Sequence, residues 1–324
     1  MQRGLNNTTT PMMPSILPYQ PAFHTSLIIL SVLTTAHNLL VLVVYKKNRS
    51  LHTPTNFILS NLACCDLMTG CIFLPLMIST SMVVNRSLQF ATNVFADLTV
   101  IGIVLCLTSV TYERYLNLCH PYQYPIIVNK CRVRILVGVI WTIAALMSLV
   151  PIVWSHNTLN KAPGKEAKSF KQAYQAHSLV VLVIFFVIPT TVSLYALIAM
   201  FCVVRRLTKN DPMVNAKLRR KRERRVVLVF LAMYACLIIC WTPMILVRIS
   251  LDFHLNLFVW QRWHLELFLC LRGLPSFTNP LIYVWCKQDF RQSVFKIKAI
   301  QKVTTMRTKL DISERILMVT KNAD

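Results

Sequence analysis

Three polar side chains stand inside long apolar runs: Asn38 in VLTTAHNLLVLVV, Asp66 in NLACCDLMTGCIF and Asn279 in SFTNPLIYVW. A charged group at bilayer depth costs roughly 2.5–3.5 kcal/mol on insertion scales. All three are therefore expected to face the interior of a helix bundle, sharing hydrogen bonds, water or a cation, or serving only as helix–helix glue. A second group, Glu113-Arg114-Tyr115, closes the third apolar run. Arg114 can pair with Glu113 on its own helix or with an acid arriving from another. Glu223, the acid inside LRRKRERR, is that candidate, and an Arg–Glu pair between helix ends would latch one of two packings. A third group comprises Arg248, Asp252, Glu266 and Arg272. Two readings of it stand. The charges pair at a rim, or Arg272 captures a carboxylate, a phosphate or a peptide C-terminus through its planar fork.

The elements that must hold these groups are seven apolar runs near 24–46, 54–82, 90–119, 133–154, 177–205, 225–250 and 263–285. Each can cross roughly 30 Å of hydrocarbon as a helix. The runs do not alternate as barrel strands would. Helices alone satisfy their own backbone in lipid, so an all-α membrane bundle is the expected fold. Pro151, Pro189, Pro243 and Pro280 fall within or near the outer parts of spans four to seven. Each removes a backbone hydrogen bond and kinks its helix. Trp241, two residues before Pro243, stands at such a pivot.

The composition agrees. Of 324 residues 55% are apolar and only 15% charged, against about 25% charged in soluble domains, which excludes an ordinary soluble enzyme. The net charge of +23 sits in short Lys/Arg clusters between apolar runs, as on the cytosolic face of a membrane and unlike the solvated basic face of a nucleic-acid binder. Those clusters follow spans one, three, five and seven. They place the N-terminal tail (1–23) outside the cell, the bundle at 24–285, and residues 286–324 in the cytosol. KQDFRQSVFKIKAI after span seven reads as a short amphipathic helix on the inner leaflet. Asn6 and Asn7 each open an N-x-T acceptor on the exterior tail. No cleavable signal peptide is read; the first span directs insertion. The 11 cysteines form neither a disulfide framework nor a zinc pattern, and no metal or cofactor site is read from them.

Together these residues resemble the rhodopsin-like (class A) G-protein-coupled receptors, over about 35–290. The resemblance is carried by Asn38, L-A-C-C-D with Asp66, E-R-Y at 113–115, Pro121, Trp141, Pro189, C-W-T-P at 240–243, N-P-L-I-Y at 279–283, and Phe290 seven residues after Tyr283. It implies a plasma-membrane receptor with no covalent chemistry of its own. An extracellular ligand enters between the outer helix ends, the sixth helix swings, and a heterotrimeric G protein binds inside. Arg114 with Glu223 would be the latch and Trp241 the pocket floor. Asn279, Pro280 and Tyr283 would be the relay, and Asp66 the anchor of a polar core of the kind that holds sodium. Arrestin and a receptor kinase are implied partners, with Thr304, Thr305, Thr308 and Ser313 as phosphorylation candidates. Membrane lipid is another partner, at the basic third loop and tail.

Several positions depart from the family pattern. Gln89 replaces the outer Cys of span three, and 155–177 lacks its partner Cys. Leu197, Leu237, Ile103 and Pro275 replace a Tyr, a Phe, a Ser-like residue and an Asn; these changes weaken a sodium site and alter the relay. The Asp of amine receptors is Ala96 here, with Asp97 one residue on and so turned by about 100°. The Lys of opsins is Gly273, which disfavours light sensing. A peptide, lipid or other anionic ligand is preferred, with amine or nucleoside-like ligands as the alternative. Outside the signalling reading stand a non-signalling decoy receptor and a transporter.

Overall fold

The computed structural model describes residues 20–159, 165–210, 214–253 and 261–286, with side chains undescribed at 154–171, 207–222, 251–252, 262 and 283–286. Seven long helices account for nearly all of it. They are α1 (Pro21–Lys47), α2 (Pro54–Met82), α3 (Arg86–Cys119), α4 (Lys130–Leu159), α5 (Lys165–Asn210), α6 (Val214–Asp252) and α7 (Arg262–Cys286). Helical turns Arg49–Leu51 and Tyr124–Ile127 sit in two of the connections. The first six helices contain a stretch long and apolar enough to cross a membrane. α7 completes the bundle and carries Glu266, Arg272, Asn279 and two prolines along its length. The basic run before span six continues the helix, as expected. Asn6, Asn7, Phe290 and the anticipated amphipathic helix after α7 lie outside the described residues, as does the Tyr283 side chain.

Local sequence explains the starts and irregularities. α2 begins with Pro54 in its first turn, where a missing N–H costs nothing, and the Thr53 hydroxyl accepts the Asn56 N–H at 3.3 Å. α3 begins after Asn85, whose Oδ1 accepts the N–H groups of Ser87 and Leu88. Two helices widen to a π-turn, at Thr69–Phe73 and Val183–Val187. Both turns lie just N-terminal to a proline, Pro75 and Pro189. There the ring leaves a carbonyl without its N–H partner, and a wider turn relieves the clash. At Gly70 the backbones of α1 and α2 approach so closely that a Cβ would lie 2.9 Å from the Thr35 nitrogen. The Ser31 hydroxyl donates across the gap to the Gly70 carbonyl at 2.7 Å.

α3 is the central post. In its apolar stretch 67% of residues are buried, against 28% in α1, α4 and α5. It packs on α2, α4 and α5, while α1 closes the ring against α2 and α7, and α6 bridges α5 and α7. Ile28, Val32, Ile135, Val139, Val192 and Ile198 stay exposed on the outer helices, as lipid-facing positions must.

Candidate functional site

A cavity opens between α3, α5, α6 and α7. Asp97, Trp241, Arg248 and Arg272 all line it, amid apolar Leu179, Leu182, Phe186 and Ile249. Trp241 stacks on Phe186, 5.8 Å between ring centroids and 16° between planes. The Arg272 guanidinium lies 5.2 Å from the Trp241 centroid and 4.8 Å from that of Phe73. Such cation–π contacts supply roughly 0.5–2 kcal/mol each, and they hold the charge without neutralising it. Among the described residues Arg272 makes no ion pair. The Gln20 amide, oriented to donate, lies 2.6 Å from Glu266 Oε2, so Glu266 is engaged with the start of α1. The Asp252 side chain lies outside the described residues.

Asp97 is buried, with Oδ2 3.9 Å from His177 Nδ1, and Arg248 and Arg272 act on it electrostatically. His177 Nε2 lies 2.9 Å from the Met147 carbonyl. A carbonyl only accepts, so Nε2 carries the proton and donates. One carboxylate thus faces two guanidinium groups, and the cavity is net positive. Arg248 also lies over the Tyr174 ring at 5.4 Å.

A polar core joins α1, α2 and α7. Asn279 Nδ2 donates to Asp66 Oδ2 at 3.1 Å. Asn38 Nδ2 donates to the Ser276 carbonyl at 3.0 Å and the Thr34 carbonyl at 2.9 Å. The Ser276 carbonyl is the one that Pro280, four residues on, cannot serve. Asn38 therefore repairs the break that Pro280 makes in α7. Oδ1 of Asn38, Asp66 and Asn279 is buried without a protein partner. Buried Ile103 stands where the resemblance would put a hydroxyl, which leaves a sodium shell there one oxygen short.

At the other functional end Arg114 Nε lies 3.2 Å from Glu113 Oε2, and its guanidinium donates to the Thr55 hydroxyl of α2. The Tyr124 hydroxyl donates to Glu113 Oε1 at 2.6 Å. Burial, then the Glu113 carboxylate, push the Tyr124 hydroxyl up to about 12, so it stays protonated and remains a donor. The expected Arg114–Glu223 pair is not among the ion pairs of the described residues. In this packing the adjacent acid, Glu113, holds Arg114, the other pairing open to it. Tyr115 instead packs against Tyr112, with centroids 6.4 Å apart.

Sequence reasoning did not single out Thr55, Tyr124 or His177. It also missed a buried triad between α3, α5 and α6. Tyr234, fully buried, donates to Ser193 Oγ at 2.7 Å, Ser193 donates to the Pro189 carbonyl, and Thr108 Oγ1 lies 3.2 Å from both hydroxyls. The triad lies among the helices where Leu197 and Leu237 replace the family's Tyr and Phe. The available signal was a tyrosine within an otherwise apolar stretch of α6, which demands a partner when buried.

A family model, 7 transmembrane receptor (rhodopsin family), matches residues 37–283. The chain is similar to the Histamine H2 receptor of Cavia porcellus, 25% identical over 306 residues and covering 91% of this chain and 84% of that protein. It is similar to the Adenosine receptor A2b of Homo sapiens, 25% identical over 309 residues, 87% and 91% covered. It is also similar to the Tachykinin-like peptides receptor 86C of Drosophila melanogaster, 25% identical over 338 residues, 97% and 66% covered.

Proposed function

The chain belongs to the rhodopsin family of seven-transmembrane receptors, and from that premise we propose that its ligand presents an anionic group to Arg272 and an apolar body to α5 and α6. It is a multi-pass membrane receptor that couples to heterotrimeric G proteins, and it is not an enzyme. The relatives are receptors for histamine, adenosine and tachykinin-like peptides. Three such unlike ligands give no preference, so the cavity's own chemistry has to supply one.

The observation that carries the reading is Arg272, a cation lining the cavity with aromatic rings as neighbours and no ion pair among the described residues. A carboxylate or phosphate would meet its fork bidentately. Asp97 does not serve an amine equally well, because Arg248 and Arg272 line the same cavity and make it net positive. The apolar lining suits a lipid acid or the C-terminal residue of a peptide.

Transduction follows from the contacts. An anion that draws Arg272 off the Trp241 face frees the indole, two residues before the Pro243 kink. α6 then swings about that kink, and the Tyr234 triad and the Arg114 network must re-pair. Glu223, on the same arm of α6, is the acid that Arg114 meets in an alternative packing. Asn279, Pro280 and Tyr283 pass the change to α7. The receptor sits in the plasma membrane, with its N-terminus outside and the basic loops in the cytosol. Asn6 and Asn7 carry glycans, and the cytosolic tail offers its hydroxyls to a receptor kinase and arrestin. Epitope tags at both ends read the orientation; tags found in the same compartment overturn it.

The deciding test is GTPγS binding in membranes across lipid acids, peptides with free or amidated C-termini, amines and nucleosides. Agonists are expected to carry an anion and to lose potency on Arg272→Ala at equal surface expression. An agonist without an anion that is unaffected by Arg272→Ala and abolished by Asp97→Asn overturns the anion reading in favour of an amine.

A further inference from the structure

At the Arg114 end of the bundle a second pocket lies between α1, α2 and α4. Its walls include Tyr45, His52, Thr53, Phe57, Lys130 and Arg134. We propose that this pocket binds the headgroup of an anionic inner-leaflet lipid that carries more than one phosphate. The proposal rests on the orientation given above, which puts the pocket at the cytosolic leaflet, and is independent of the cavity's ligand.

Charge, helix ends and position carry it. Lys130 and Arg134 are one turn apart, so they project from one face of α4. Neither has an ion pair among the described residues. Lys46, Lys47 and Arg49 follow Tyr45 at the end of α1. The described acids of this end are Glu113, already held by Arg114 and Tyr124, and Glu223 on α6, and neither lines the pocket. The local excess of cations exceeds what one phosphodiester neutralises, which selects a headgroup with further phosphates. α2 and α4 both start at the pocket, with Thr53 and Asn129 as their N-caps, so two positive helix ends converge on it. Basic pockets between spans on the cytosolic side suit such headgroups.

The opposite wall is preorganised. The His52 Nε2 donates to the Tyr45 carbonyl at 3.0 Å, and the two rings lie 4.9 Å apart. Tyr45 of α1 and Arg134 of α4 line the same pocket from opposite sides. One turn deeper than Arg134, Gly138 is exposed, and a Cβ there would meet nothing within 4 Å. That open surface, with exposed Ile135 and Val139 beside it, accepts an acyl chain. The pocket therefore offers a basic seat for phosphate continuous with an apolar wall for the lipid tail, which a soluble phosphate would not use.

The test uses the full-length receptor in phosphatidylcholine nanodiscs. The probes are a fluorescent phosphatidylinositol bisphosphate, phosphatidylserine, and free inositol trisphosphate. The bisphosphate lipid is expected to bind saturably and more tightly than either comparator. Lys130→Ala with Arg134→Ala should weaken it roughly 30-fold, two charges at about 1 kcal/mol each. Arg205→Ala with Arg206→Ala, on α5 of the same end, should leave it unchanged. If the double variant does not fold, Arg134→Gln alone reads the same expectation with a loss of about fivefold. Equal weakening by both pairs, or phosphatidylserine binding equal to the bisphosphate lipid, overturns the site in favour of diffuse charge. Free inositol trisphosphate binding as tightly as the lipid overturns the lipid assignment.

Discussion

Arg114 and Arg272 place the same guanidinium in two regions of one bundle, and their surroundings differ in kind. Arg114 meets a carboxylate at 3.2 Å and a hydroxyl, and that carboxylate is itself held by Tyr124. Arg272 lies against the faces of Phe73 and Trp241 and makes no ion pair among the described residues, with Asp97 lining the same cavity. A cation whose partners are internal stabilises the packing that supplies them. A cation without an internal partner is stabilised from outside. The first arrangement suits the closed end of a switch and the second suits its input.

The comparison breaks most readily at Arg272. Arg272→Ala should raise the half-effective concentration of an anionic agonist by roughly a hundredfold or more, the cost of stripping one partner from a desolvated charge pair. Surface expression should hold. Loss of expression instead would make Arg272 a structural group like Arg114. Next in size is Glu113→Gln, which keeps the shape and removes the charge. Charged hydrogen bonds supply about 1.5–3 kcal/mol, so ligand-free GTPγS binding should rise on the order of tenfold. Unchanged basal activity would mean that the Arg114 network holds no state.

Tyr234→Phe removes one buried hydrogen bond worth about 1 kcal/mol. Purified receptor should melt a few degrees lower, and an unshifted melting curve would show that the triad contributes nothing. Glu223→Ala is expected to change basal activity least, about twofold, as for a partly exposed charge. An effect as large as that of Glu113→Gln would make α6 the resting partner of Arg114 and remove the contrast between the two arginines.

Much of this was legible in one dimension. Spans read from apolar length fall inside the helices because a membrane span must satisfy its own backbone, which a run of residues decides locally; the helices run on beyond them, α5 back to Lys165 and α6 back to Val214. The motif residues Asp66 and Asn279 were flagged by their depth, and they do meet. The role of Asn38 was not legible, since it depends on which carbonyl Pro280 leaves bare and which helix faces it. Likewise Tyr124 lies in a connection without periodicity, and Thr55 and His177 are ordinary residue types. Nothing in their spacing says that they approach Arg114 or Asp97.

Sequence by itself therefore determined the membrane class, the family, the position of the apolar spans and the motif residues buried within them. Each of these follows from the cost of placing a given residue type in lipid or from an ordered set of motifs. Tertiary structure alone decided the pairings: Arg114 with Glu113 and Thr55, Arg272 with rings, and Tyr234 with Ser193. A hydrogen bond or ion pair requires a few ångströms of approach, and that distance is set by how each helix is rotated and where its neighbours cross it.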